Sequence, residues 1–274
     1  MQSLHVKLFV GGAGLAVALA VPTMALAQQA GSLSSTRAIG EEYRIELSGG
    51  LWDPTVFGVI ASEQFGIAGT EINLVDDLGF GKIRFRDGRL VLRPGKKHKF
   101  RVQYTPISYS ADATLARDLV FNGILFPVEV PIQSTLDWKV WRFGYEFDFI
   151  YTDRGFLGIL IEGRYTEMNA SLKSALGDEF SSAKLPLPSF GLVARVYPIR
   201  NLSITAEASG FKLPNFDERY AANYLDVDVY GTFNVTHHLG VQAGWRRITT
   251  DLKFENDTGD LKFDGLWFGG AVRF

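Results

Sequence analysis

Asp226 and Asp228 stand two residues apart, and in an extended chain such a pair falls on one side of the backbone, where two carboxylates can do acid–base work. That work near neutral pH calls for a group that titrates there, usually histidine. Beyond His5, the histidines are His98, His237 and His238, and all three sit in polar, turn-like stretches rather than beside the aspartates. Adjacent residues in a turn point apart, so His237 and His238 do not make a metal pair. Asp76 and Asp77 offer oxygen ligands, but their spacing matches no calcium loop. The sequence therefore assigns no catalytic residue, no metal and no cofactor.

What the charged residues share is parity. Arg44, Arg101, Arg142, Arg164, Arg195, Arg246 and Arg273 lie on the polar side of alternating runs, and so do Glu46, Glu146, Asp148, Glu162, Glu207, Asp226 and Asp228. Seven bases oppose seven acids. All seven bases are arginine, whose planar fork suits bidentate pairing with carboxylates in a confined space. The chemistry expected of this set is mutual neutralisation.

The elements that carry these charges are ribbons. Between Trp138 and Tyr165, Trp141, Phe143, Tyr145, Phe147, Phe149 and Tyr151 fall on one face and Arg142, Gly144, Glu146 and Asp148 on the other. After Thr152-Asp153-Arg154-Gly155 the alternation resumes, with Leu157, Ile159, Ile161 and Tyr165 opposite Gly158, Glu162 and Arg164. Side chains alternate along a strand, so this is a hairpin with one apolar and one charged face. In a soluble sandwich the apolar face would be the core. In a membrane barrel it would meet lipid, with the charges lining the lumen.

Composition excludes several classes. The 274 residues are 46% hydrophobic with a formal charge of −2, which offers no basic footprint for nucleic acid. There is no cysteine, hence no disulfide framework, thiolate metal site or acyl-anchored cysteine. At the start, His5 and Lys7, the apolar run Leu8 to Ala20, and Ala25-Leu26-Ala27 read as a signal peptide cleaved after Ala27. The run is shorter than the roughly 18 residues of a spanning helix.

The last stretch, Leu266-Trp-Phe-Gly-Gly-Ala-Val-Arg-Phe274, alternates and stops on an aromatic. Together with Leu239–Arg246 and the hairpin that follows, it resembles the closing strands of bacterial outer-membrane β-barrel proteins of the OmpA-barrel and OmpW-like kind. The resemblance implies an exported all-β protein: a transmembrane, antiparallel, up-and-down barrel. In such proteins the terminal aromatic serves as an assembly signal, so the barrel-assembly machinery is an expected partner through this strand. Phe268 and Phe274 join the six aromatics of the central hairpin as lipid-facing residues.

Taken in order, residues 28–40 read as a flexible lead-in and 41–274 as the barrel. Short turns are expected at 94–98, 152–155, 198–201 and 235–238, with long connections at 53–82 and 110–135 and a polar loop near 173–184. Pro127 and Pro131 break the second long connection, which reads as an excursion beyond the membrane. Its apolar residues, Phe121, Ile124, Leu125, Phe126, Val128 and Val130, could hold an acyl chain or a protein, rest on the outer leaflet, or cap the barrel. The count is ten strands, with eight or twelve as alternatives.

A barrel of this size has an interior that side chains can largely fill. The expected function is a structural or surface-binding outer-membrane barrel with a salt-bridged lumen, in contact with outer-membrane lipids and lipopolysaccharide. A small-solute, porin-like channel is the alternative. An outer-membrane hydrolase is the third reading, opposed by histidines that sit in turns on the periplasmic side, away from the external rim where barrel enzymes act.

Overall fold

The computed structural model describes residues 38–62, 69–175, 177–217, 220–254 and 257–274. The proposed signal peptide and most of the lead-in lie outside them. The strands are β1 (Ile45–Ala61), β2 (Ile72–Asn73), β3 (Phe85–Gly95), β4 (His98–Thr114), β5 (Leu119–Phe121), β6 (Ile124–Phe126), β7 (Pro131–Thr152), β8 (Gly155–Ser174), β9 (Gly177–Ile199), β10 (Leu202–Asp217), β11 (Tyr220–Asn234), β12 (Leu239–Phe254) and β13 (Asp257–Arg273). Ten are long and pair antiparallel in chain order: β1, β3, β4, β7 and then β8 to β13. The sheet closes on itself through β13 and β1, from Glu46 opposite Arg273 to Ala61 opposite Thr258. Closure removes both sheet edges.

The four expected short turns are all present and lie at one end of the barrel. Residues 38–44 cross that end: Ala38 N–H donates to Asp153 C=O at 3.1 Å and Ile39 N–H to Arg200 C=O at 2.7 Å. The long connections are shorter than the sequence suggests. Residues 53–61 continue β1, and the polar stretch 173–184 is mostly strand, belonging to β8 and β9. The excursion after β4 holds the β5–β6 hairpin. Its two-residue loop, Asn122-Gly123, has both φ angles positive (51° and 81°), as a tight two-residue hairpin turn requires.

The strands are too long for a membrane alone. A spanning β-strand needs about 9–11 residues, while β7 has 22 and β9 has 23. Near the short turns, apolar residues point out and charges point in. Higher up, the sense of the alternation inverts. On β7, Ile132, Ser134, Leu136, Trp138 and Val140 are buried inside, and Gln133, Asp137 and Lys139 point outward. The outer apolar belt, exemplified by Leu239 to Trp245 on β12 and Leu266 to Phe274 on β13, is roughly 20 Å tall at the usual strand rise and tilt.

One register break matters for the belt. β7 carries a bulge between Asp148 and Ile150 opposite β8, so Phe149 and Ile150 both face outward. The extra residue reverses the faces beyond it. Tyr151, expected on the lipid side, is instead turned inward, where the Arg93 guanidinium lies 5.2 Å from its ring centre.

A second break divides the wall. β9 pairs with β10 only from Phe190 to Ile199, although its ladder with β8 runs on through Gly177. Pro186 and Pro188 lack N–H groups, and their places in the unbroken β8 ladder leave the β10 side as the one that loses donors.

A barrel interior filled in two layers as the candidate functional site

The lower layer, toward the short turns, is ionic. Among the described residues, Arg89, Arg93, Lys99, Arg101, Arg142, Arg164, Arg195, Arg246 and Arg273 face Glu41, Glu46, Asp87, Glu146, Asp148, Glu162, Glu207, Asp226 and Asp228. The inward parity of each strand places them, so cations and anions from opposite walls meet across the lumen. Asp226 on β11 accepts from Arg142 at 3.0 Å, from Arg246 at 2.9 Å and from Arg164 at 3.5 Å. Arg142 also reaches both oxygens of Glu162 at 2.9 Å. Arg246 extends to Asp87 at 3.0 Å, and Asp87 accepts from Gln103 and Thr105.

Nearer the turns, Glu207 joins Arg101 at 2.5 Å and Arg89 at 3.0 Å, with Tyr230 donating to it at 3.1 Å. Arg101 and Lys99 share Glu146, and Lys99 also stands 2.9 Å from Asp148. Asp228 lies 3.4 Å from Arg89, and Arg273 donates to Glu46 at 2.5 Å. Several cations also rest on rings, among them Arg164 over Tyr224 at 4.1 Å and Lys99 over Phe156 at 3.4 Å. The free volume left among Arg89, Arg101, Glu146, Glu207 and Tyr230 is about 10 Å³, room for about one water.

The segment ahead of β1 closes this layer from below. The Glu41 carboxylate is buried and accepts from Arg195 at 2.9 Å and from the Tyr197 hydroxyl at 2.8 Å, with Arg93 at 3.4 Å. Burial alone would raise its pKa, but Arg195, Lys99 and Arg93 outweigh that and hold it at about 2. Arg93 also donates to the Glu41 carbonyl and to the Lys96 carbonyl, stitching the segment to the β3–β4 turn.

The upper layer is apolar. Trp52, Phe85, Ile107, Tyr109, Trp138 and Phe263 point inward from the walls and pack against Leu74, Leu78 and Phe80 from the β1–β3 connection and Leu119, Phe121 and Phe126 from the β5–β6 hairpin. Phe80 stacks on Tyr109 with ring centres 5.2 Å apart, and Trp138 meets Phe263 at 5.3 Å. Of the alternatives for the apolar excursion, its buried residues cap the barrel. Arg117 clasps the two connections together, donating to Asp77 at 2.7 Å and to the Glu71 carbonyl at 2.6 Å. The Arg117 hydrogen bond holds the Asp77 carboxyl below its ordinary range.

Of the fourteen expected lumen charges, thirteen are brought into the interior. Arg44 is not: it precedes β1 and is exposed, because strand alternation begins only at Ile45, and Tyr43 and Glu41 take the inward positions. On the outside, Trp141, Phe143, Phe149, Phe268 and Phe274 are exposed, and Tyr145 and Phe147 are half-buried on the same face. Sequence reasoning missed Asp87, Arg89, Arg93 and Lys99. All four follow from parity, since Asp87, Arg89 and Arg93 alternate with Gly88 and Leu92, and Lys99 shares the face of Arg101. Lys99 also means that the cations are not all arginine. Glu41 lies in no alternating run and left no such signal.

His98 and His238 are at the short-turn end. His98 Nδ1 is 2.6 Å from the Tyr145 hydroxyl, and His238 Nδ1 is 2.9 Å from the Arg273 carbonyl. Neither touches the Asp226–Asp228 pair, which arginines occupy. No cluster of three potential metal ligands occurs among the described residues. No described helix is long and apolar enough to cross a membrane, which says nothing of strands.

No protein-family model matches the sequence, and comparison with curated proteins finds no match. Solved structures do match. The outer-membrane protease OmpT from Escherichia coli superposes with a TM-score of 0.53 at 10% identity, over 88% of this chain and 99% of that one. Ail, the attachment invasion locus protein of Yersinia pestis, matches with a TM-score of 0.37 at 12% identity, over 85% of this chain and 99% of its own. The Pseudomonas putida toluene transporter TodX matches with a TM-score of 0.37 at 9% identity, over 84% and 89%. The fold is shown by the first: a closed outer-membrane-type β-barrel.

Proposed function

We propose that this chain is an integral outer-membrane β-barrel with a sealed interior, serving a structural or surface-binding role rather than catalysis or bulk passage. The observation that carries the reading is the two-layer filling of the lumen, ionic below and apolar above, with residues 38–44 drawn across the lower end. Among the described residues, nine cations face nine carboxylates inside the barrel, a balance that supplies no excess charge to select a permeating ion. The outward belt supports a lipid environment, since it joins Leu, Ile, Val and Phe side chains with Trp141, Tyr165 and Trp245 along its upper margin. Above the belt the walls turn a polar face outward, as suits contact with lipopolysaccharide headgroups and water.

In this reading the chain is exported, inserted with the short turns on the periplasmic side, and assembled through β13. The histidines at the turn end are remote from the exposed rim where a substrate would arrive, which supports a non-enzymatic role. Two measurements test the proposal. In a chain without cysteine, Phe143→Cys should resist a water-soluble maleimide in intact cells while Ser182→Cys reacts; rapid labelling of Phe143→Cys would reject the lipid-facing belt. Liposomes carrying the protein should swell in arabinose no faster than empty ones, and fast swelling would reject the seal.

A further inference from the structure

The apolar layer is not filled throughout. At the end away from the short turns lies a cavity of about 100 Å³ walled by Ile60, Phe121, Leu136, Met168, Ala170 and Leu261. One wall is a cross-strand pair, Met168 on β8 opposite Ala183 on β9, where the small alanine leaves the space. At its edge Ser181 donates to Asp257 at 3.2 Å, joining β9 to β13. Ser62, just past the end of β1, also lines the cavity; the residue is 3% exposed, and its hydroxyl has no hydrogen-bond partner among the described residues. The cavity is partly open at that end, and protein interiors rarely leave a buried hydroxyl unmatched. Here the cavity and the unmatched hydroxyl coincide.

We infer that this cavity is a binding site for one small amphiphile, a compact apolar body of about four to six heavy atoms bearing a single hydrogen-bonding group that pairs with Ser62. The size follows from comparison with an apolar protein cavity of about 150 Å³, which takes benzene. The apolar walls supply affinity by burying hydrocarbon, and the hydroxyl supplies discrimination, because a ligand without a partner group leaves Ser62 unmatched. The inference extends the surface-binding part of the proposed function; its test reads neither insertion nor swelling, so a negative result here leaves the sealed barrel standing.

The protein supplies its own reporter. The other methionines are Met1 and Met24, in the stretch read as the signal peptide, so a ¹³C-methyl label on Met168 watches the cavity wall. The full chain in phospholipid nanodiscs is titrated with 1-butanol and with 1-chlorobutane, which has the same shape without a donor. A saturable Met168 shift is expected, with the two probes competing. Ser62→Ala should weaken 1-butanol about fivefold and leave 1-chlorobutane unchanged. Ala170→Leu and Ala183→Leu, which fill the space from different strands, should abolish both shifts. A shift that grows without saturating, without competition between probes, would mean partition into the bilayer and would overturn the site even if neither filled variant folds. Equal loss or equal retention of both probes in Ser62→Ala would overturn the hydroxyl's role.

Discussion

Asp226 is the most heavily loaded anion in the barrel, since three guanidiniums converge on it from β7, β8 and β12. Converting it to Asn keeps the shape and removes the charge, leaving Arg142, Arg164 and Arg246 under-compensated in a dry interior. Breaking a buried ion pair from one side costs about 3–5 kcal/mol, so Asp226→Asn should lower the unfolding midpoint in urea clearly. Arg44→Ala, by contrast, should leave it unmoved, because Arg44 is exposed. Because these pairs are buried, the midpoint of the wild type should also change little between low and high salt. Glu41 gives a pH prediction with a definite sign. Its folded pKa of about 2 lies below the ordinary glutamate value of 4.5, so the stability it contributes is complete above 4.5 and is lost as pH falls toward 2. The stability gap between wild type and Glu41→Gln should therefore be constant from pH 7 to 5 and shrink on acidification below that. A gap that widens in acid would contradict the assignment of Arg195, Lys99 and Arg93 as its partners.

At the scale of elements, the hairpins near the short turns were legible because both of their faces are strongly marked, apolar out and ionic in. The upper halves of β7, β8 and β9 were not. There the inner face is apolar and the outer face polar, so residues such as Lys173, Ser182 and Lys184 read as a loop although they are the outer face of strands. Parity counting also fails across a bulge, which is why Tyr151 was assigned to the wrong side; a one-residue slip sends every later side chain to the opposite face. The capping role of the β5–β6 hairpin left only its apolar composition as a signal, because the residues it packs against come from strands distant in sequence. The clasp between the two connections is testable on its own. Arg117→Ala removes the partner that lowers the Asp77 pKa, so hydrogen exchange should accelerate at Leu74, Leu78 and Leu119 while the amides of β10 to β13 keep their protection. Uniform acceleration throughout the barrel would show that the clasp is part of the global fold rather than of the cap.

For the molecule as a whole, the proposed seal has two layers that would close the lumen independently, the ionic one within the belt. Shortening the β5–β6 hairpin should therefore destabilise the cap without opening a conducting path. The most direct test of the sealed interior is single-channel recording of the full chain in planar bilayers, since a filled lumen and a water-filled one differ by whether current flows at all. The expected trace shows no steps of stable amplitude in 1 M KCl at either polarity, both for the wild type and for the shortened hairpin. Steady, ohmic steps from the wild type would contradict the seal and give the barrel to the channel reading.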